Sequence, residues 1–231
     1  MNSRLPTCMK PRIIDCAVGR TQTRITCARG TRIPRITDGH GTRVLADLLR
    51  RDLLNDGGTL ARMLIVLGGL PGVGKTTIAR ALARAIGAMH IRIDSIELAI
   101  RESALFEGPM NDAGYRVGYA VAEDNLRLGR MVIADSVNPL PITREAWRAV
   151  ATRAQVKLVE VEVVCSDEQE HRRRVEGRLD RRPAESGPTW AEVVARDYRA
   201  WDRDHVVIET AGRTAEQLVV TLRTMLGDGK R

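Results

Sequence analysis

Aromatic residues are scarce in this chain: Phe, Trp and Tyr make up 3% of 231 residues, with a single Phe. Grooves for single-stranded nucleic acid stack bases on aromatic side chains, so the scarcity argues against nucleic acid as a partner. Trp147, Trp190 and Trp201 fall on predicted helices, where burial in a core accounts for them. Long apolar runs are also missing. No stretch reaches membrane-spanning length and no signal-peptide core is present, which leads us to expect a cytoplasmic protein without a membrane partner. The four cysteines form no framework. Cys8, Cys16 and Cys27 are spaced for neither a zinc site nor a CxxC redox pair, and Cys165 ends a predicted buried strand. Neither a disulfide nor a structural metal is expected. His90 and His171 have no triad or metal partner at recognisable spacing.

The net charge of +8 would suggest a polyanionic partner if it were spread over the fold, but it is not. Residues 1–62 hold 12 Lys/Arg and 5 Asp/Glu, which leaves 25 basic and 24 acidic residues from Met63 onward. The basic excess belongs to an N-terminal segment whose first 43 residues show neither strand nor helix periodicity and read as disordered. Residues 44–54 could form a short amphipathic helix before Asn55-Asp56-Gly57-Gly58. The segment can be a flexible tail, an acid-poor targeting peptide, or an upstream extension of a frame whose working start is Met63. The last is favoured, because Met63 opens the first core strand directly, and it assigns function to 63–231. Nothing in the sequence signals an oligomeric state.

Met63-Leu64-Ile65-Val66-Leu67 is too short for a buried helix and reads as a strand. It runs into Gly68-Gly69-Leu70-Pro71-Gly72-Val73-Gly74-Lys75-Thr76-Thr77 and a helix-forming stretch, which is the context a Walker A loop requires. Gly69, Gly72 and Gly74 let successive N–H groups face one centre, and the helix start adds its positive end, so the loop is an anion nest. Lys75 can reach the β- and γ-phosphates of ATP, and the Thr76 hydroxyl can ligate Mg2+.

Further strands are predicted at 88–93, ending on Asp94, at 131–134, ending on Asp135, at 156–165, where Lys157, Glu160 and Glu162 suggest one partly open end, and at 206–208. Helices are expected after the loop, from a cap at Asp94, over 113–128 despite Gly114 and Gly118, and from Thr143 to about 154. Others should open with capping boxes at Ser166 and Thr189, the latter running through Tyr198 and Trp201, and the last should start at Thr214. Strands alternating with helices predict an α/β three-layer fold, a five-stranded parallel sheet covered on both faces. Ligands should gather at the C-terminal strand edge, beside Lys75, Asp94 and Asp135.

Two absences narrow the chemistry. Hydrolytic motors place a water-activating Glu after the Walker B Asp, whereas Asp135 is followed by Ser136 and Val137. The Asn-Lys-x-Asp guanine motif of GTPases is missing as well. Both favour phosphoryl transfer to a bound acceptor over transfer to water. Asp135 is assigned to Mg2+, and Asp94 is either the base that takes the acceptor's proton or only a helix cap. Arg174, Arg178 and Arg182 recur at spacing four and would share one helix side, so Arg178 and Arg182 are candidates to neutralise the transferring group. Arg172 and Arg173 read as a solvated face.

The loop itself, Ile93-Asp94-Ser95, Ile133-Ala134-Asp135-Ser136, and Pro188-Thr189-Trp190 ahead of Tyr198 and Trp201 resemble the small P-loop kinases often labelled AAA-family ATPases. That group is similar to chloramphenicol phosphotransferase, zeta toxin and gluconate kinase, and the resemblance spans about 63–226. It implies strand order 2-3-1-4-5, an Arg-bearing lid between the fourth and fifth strands, and an Asp at Asp94 that contacts or deprotonates the acceptor hydroxyl. It also implies an adenine site near Thr210, with a lid arginine such as Arg174 stacked on the base. The implied function is ATP- and Mg2+-dependent phosphorylation of a small molecule, be it a metabolite, an antibiotic or a nucleotide sugar. A toxin-like or nucleic-acid-end kinase, or an ATP-binding regulatory module, stands as the alternative. Residues 96–130 match none of the named specialists, which leaves the acceptor open.

Overall fold

The computed structural model describes residues 35–36, 62–103, 107–181, 187–214 and 217–218, the side chains of 35–36 and 179–181 excepted. Residues 44–54, Cys8, Cys16, Cys27, Arg182 and most of the helix expected after Thr214 lie outside them. All described elements belong to one compact unit, Ile33–Arg231. In chain order they are β1 (Arg35–Ile36), β2 (Met63–Gly68), α1 (Lys75–Ile86), β3 (Met89–Arg92), α2 (Ile93–Arg101) and α3 (Ala113–Arg127). Then come β4 (Val132–Asp135), α4 (Pro141–Ala154), β5 (Lys157–Val164), α5 (Glu168–Arg181), α6 (Trp190–Val194) and β6 (Val206–Glu209).

All strand pairs are parallel, in the order β1-β6-β5-β2-β4-β3. Counted from β2, the five core strands stand as 2-3-1-4-5, the P-loop order expected from the resemblance. The sixth strand, β1, comes from within residues 1–62 and pairs Arg35 with Val207 and Ile36 with Ile208.

The central strand explains why the site forms where it does. Every residue of β2 is buried, and its side chains alternate between two cores. Met63, Ile65 and Leu67 pack on Ile78, Leu82 and Ile86 of α1, while Leu64 and Val66 pack on Leu126 of α3 and on Trp147 and Val150 of α4. Each such apolar side chain taken from water contributes about 1.5–3 kcal/mol before entropy is counted. Register then fixes the chemistry: Leu67 faces Asp135 of β4, and Arg92 of β3 faces the same Asp135. The loop leaving β2 therefore starts beside the carboxylate.

Several local expectations need correction. α2 begins at Ile93 with Arg92 as its N-cap residue, so Asp94 lies inside the first turn and is not the cap. Helix α4 starts at Pro141, and the Thr143 hydroxyl donates back to the Leu140 carbonyl at 2.8 Å. Asp167, not Ser166, caps α5 by accepting from the Glu170 N–H at 2.9 Å. Helix α6 stops at Val194, and Trp201 is only half-buried in the turns beyond. The Thr189–Glu192 capping box is present as expected. A reciprocal Thr214–Gln217 cap, with bonds of 2.8 and 3.2 Å, stands at the position where the last helix is expected to start.

Two charges in the central strand β5 also find partners: Glu160 is 4% exposed and pairs with Arg148 at 3.0 Å, while Glu162 accepts from Tyr198 at 2.9 Å and from His205 at 3.1 Å. Lys157, at the strand's start, is exposed. Glycine in α3, uneven by periodicity, has a spatial reason. A Cβ on Gly114 would lie 2.3 Å from Glu97 Cγ, and one on Gly118 2.3 Å from Ile93 Cδ1, so these positions let α2 approach α3 closely.

Candidate active site

The loop after β2 turns through three positive-φ glycines, Gly69, Gly72 and Gly74, and α1 starts at Lys75. Gly72 is hemmed in as well, since a Cβ there would lie 2.5 Å from Val175 Cγ2 of α5. The Lys75 side chain folds back so that Nζ donates to the Leu70 carbonyl at 2.9 Å. Burial pulls the ammonium down to about 8, against the attraction of Asp135 and Asp94 and with the repulsion of Arg178 and Arg196. A buried cation held by one neutral carbonyl is a site that gains from an arriving polyanion.

Asp135 is 3% exposed at its side chain and accepts from His90 Nε2 at 3.1 Å. Burial pushes its carboxyl up, but the His90 hydrogen bond, the Lys75 charge and a hydrogen bond from Thr76 outweigh that and hold it below the usual range. An ionised carboxylate beside a threonine hydroxyl fits Mg2+, which takes one or two protein oxygens and fills its shell with phosphate and water. Among the described residues no group of three or more His, Cys, Asp and Glu could hold a metal ion, so tighter all-protein coordination has no support there.

One cavity of about 720 Å³ joins these groups to a second wall. Its donor side is formed by Gly72, Gly74, Lys75, Thr76, Thr77 and Asp135, with Arg174 and Arg178 of α5 above. The opposite side comes from α2, the turn before α3 and the first turn of α3: Asp94, Glu97, Arg101, Asn111 and Tyr115. Asp94 is half-exposed and accepts from Arg92 at 3.0 Å. Glu97 is raised by burial and by Asp94, with Arg101 and Arg196 opposing.

Arg174 and Thr210 meet each other directly. The guanidinium donates to Thr210 Oγ1 at 2.9 Å and to its carbonyl at 2.8 Å, and also to Glu170 at 2.6 Å. Thr210 itself is fully buried, and its hydroxyl lies 2.9 Å from the carbonyls of Val73 and Val164. It therefore supports the phosphate loop from behind, while Arg174 lines the cavity. Arg178 lines it too; Arg182 lies outside the described residues.

Sequence reasoning missed several residues that shape this site. His90 has no partner at recognisable spacing in the sequence, yet β3–β4 pairing brings it to Asp135 across 45 positions. His171 has none either, but its Nε2 donates to the Pro71 carbonyl at 2.7 Å and its ring meets Trp190 edge-on. Glu209 accepts from three backbone N–H groups, of Ser166, Thr210 and Ala211, at 2.8–3.1 Å. Arg144, fully buried, donates to the carbonyls of Asn138, Pro139, Arg199 and Ala200. Only strand register could have exposed the first of these, and only the tertiary fold the others.

A β2–loop–α1 phosphate cradle, a strand-end Asp135 beside it and strand order 2-3-1-4-5 define a P-loop protein with the fold of small kinases. Residues 64–201 match the family model described as AAA domain, and the chain belongs to that family. No curated protein matches the sequence. Among solved structures the chain is similar to the APS kinase CysC of Mycobacterium tuberculosis in complex with AMPPNP and APS, at 18% identity and a TM-score of 0.55, covering 72% of this chain and 98% of that one. It is also similar to Kti12 of Chaetomium thermophilum in complex with ADP-AlF3, at 23% identity and a TM-score of 0.50, covering 71% and 99%. At these identities the likeness is one of fold. Among the described residues no helix is long and apolar enough to cross a membrane.

Proposed function

We propose that the chain is an ATP-dependent kinase that transfers the γ-phosphoryl group to a hydroxyl of a small molecule. The observation that carries this reading is the two-walled cavity: a phosphate loop faces a separate polar wall across one space, and the position after Asp135 holds Ser136 where a water-activating Glu would stand. An acceptor between the walls would have its hydroxyl near both Asp94 and Lys75.

In this reading the backbone of 69–77 and Lys75 hold the β- and γ-phosphates, and Thr76 and Asp135 hold Mg2+, which neutralises charge on the phosphates. Arg174, braced by Thr210, covers the nucleotide, and Arg178 with Arg182 offsets charge on the transferring group. The acceptor oxygen bonds to the γ-phosphorus, the bond from that phosphorus to the β,γ-bridging oxygen breaks, and ADP leaves. Asp94 takes the hydroxyl proton, and its bond to Arg92 fixes the carboxylate's orientation. These parts lie within 63–231, and residues 1–62 are read as an extension that adds β1 to the sheet beside β6.

The test is a screen of the purified protein with Mg·ATP against hydroxyl compounds, reading ADP release and label transfer from the γ-position. For an acceptor so found, Asp94→Asn should lower kcat by about 10²–10⁴-fold with nucleotide affinity kept, the range typical of general-base loss. Undiminished transfer in that variant refutes the base assignment. ADP release equal with and without every acceptor refutes the kinase reading.

A further inference from the structure

The acceptor wall carries more positive charge than its own carboxylates absorb. Arg92 is paired with Asp94 at 3.0 Å, and Arg101 with Glu97 at 3.3 Å. Arg196 also lines the cavity, is exposed, and has no ion-pair partner among the described residues. Its charge depresses Lys75 and opposes the rise of Glu97, so it lies within electrostatic reach of the donor lysine and of the acceptor wall together.

The backbone beneath Arg196 is well held. Helix α6 is fixed at its start by the Thr189–Glu192 capping box and against the fold by Val193, which is 1% exposed. The Arg196 N–H donates to the Val193 carbonyl at 3.4 Å, directly after the helix. With the turn anchored, only the side chain has to be ordered around a ligand, and among the described residues no ion pair has to be broken first. Its planar fork suits a carboxylate or phosphate oxygen pair.

The charges on the two sides decide what that ligand is. A triphosphate on the loop would engage Lys75, Arg174 and Arg178, leaving Arg196, with Glu97 and Glu192 in electrostatic reach but no ion pair among the described residues, as the cation placed to meet a negative charge on the acceptor. We propose that the acceptor is an anionic hydroxyl compound, bearing a phosphate, sulfate or carboxylate group, and that Arg196 is the specificity residue that binds this anion. The inference rests on the kinase reading and adds the acceptor's class. A neutral sugar or alcohol would leave Arg196 facing only Glu97 and Glu192.

The test uses the full chain saturated with Mg·AMPPNP, so that the phosphate loop is filled, with inorganic phosphate as the probe of the anion subsite. Calorimetry should show phosphate binding to this complex, weakened at least tenfold in Arg196→Ala and less in Arg196→Lys, as expected for loss of a charge-assisted bidentate contact. Arg116→Ala, which removes an exposed arginine paired with Asp112, should leave it unchanged. In the acceptor screen, matched pairs such as gluconate with glucose and AMP with adenosine should favour the anionic member, and Arg196→Ala should raise its KM at least tenfold.

Absence of phosphate binding, or equal binding in wild type and Arg196→Ala, overturns the proposal. So does an Arg196→Ala variant that loses AMPPNP affinity and keeps phosphate affinity, because the residue then belongs to the donor half. A neutral compound turned over better than its anionic partner overturns the acceptor class while leaving the kinase reading intact. Failure of the wild type to bind AMPPNP overturns the kinase reading, and this proposal falls with it.

Discussion

Nucleotide binding should take up a proton through Lys75. In the ligand-free site burial dominates, and the ammonium titrates at about 8 in place of 10.5. By that value about a tenth of the lysine is neutral at pH 7, about half at pH 8 and about nine-tenths at pH 9. Phosphate oxygens arriving at Nζ favour the charged form and raise its pKa, so binding draws in the missing fraction. The sign follows: nucleotide affinity falls as pH rises through about 8, approaching tenfold per pH unit well above it. Folding runs the other way. The depression of Lys75 costs about 3 kcal/mol while it is charged in the fold. That cost is present below about pH 8 and is relieved as pH climbs toward 10.5, so the empty protein gains from the change that weakens the complex. Calorimetry of Mg·AMPPNP binding at pH 8, in buffers of different ionisation enthalpy, should report uptake of about half a proton. Lys75→Arg, which stays charged, should bind with none. Uptake below about 0.2 proton in the wild type, or equal uptake in Lys75→Arg, would refute the burial argument.

Arg144 is predicted to carry stability without touching the cavity. It holds four backbone carbonyls and lies 4.4 Å over the Trp201 ring, so Arg144→Met should strand those carbonyls and cost about 3–5 kcal/mol, or roughly 10 °C in Tm. A loss under about 1 kcal/mol in thermal or urea unfolding would show that water or a shifted loop replaces it. His171 ties α5 to the phosphate loop through Pro71, and His171→Ala should weaken AMPPNP binding about three- to tenfold, the worth of one net hydrogen bond. His171→Asn should recover part of it, and equal affinity in all three proteins would mean that the loop holds its shape unaided.

The donor half was legible in the sequence because its determinants are contiguous. A strand, a glycine turn and Lys75-Thr76 lie within fifteen residues, and Asp135 announces itself by ending a short apolar strand. Helix caps were read less well, for a local reason: Thr143 and Ser166 have the right side chains, but Pro141 is preorganised for the first turn and Asp167 is one residue better placed. The charges of β5 misled for a tertiary reason. Glu160 and Glu162 look like an exposed end until Arg148, Tyr198 and His205 arrive from positions 12 to 43 residues away.

The acceptor half resisted for a deeper reason, visible in its parts. Asp94, Glu97 and Arg101 share one helix, Tyr115 belongs to the first turn of another and Asn111 to the turn before it, and Arg196 follows a five-residue helix in the last third of the chain. No spacing rule joins them. What joins them is the close approach of α2 to α3 at Gly114 and Gly118, glycines that read as flaws in a helical pattern. They allow Glu97 and Ile93 to lie against α3, which sets the far wall of the cavity. The irregularity in the pattern was therefore the signal: a helix that gives up two side chains on one face is making room, and the room here borders the acceptor wall.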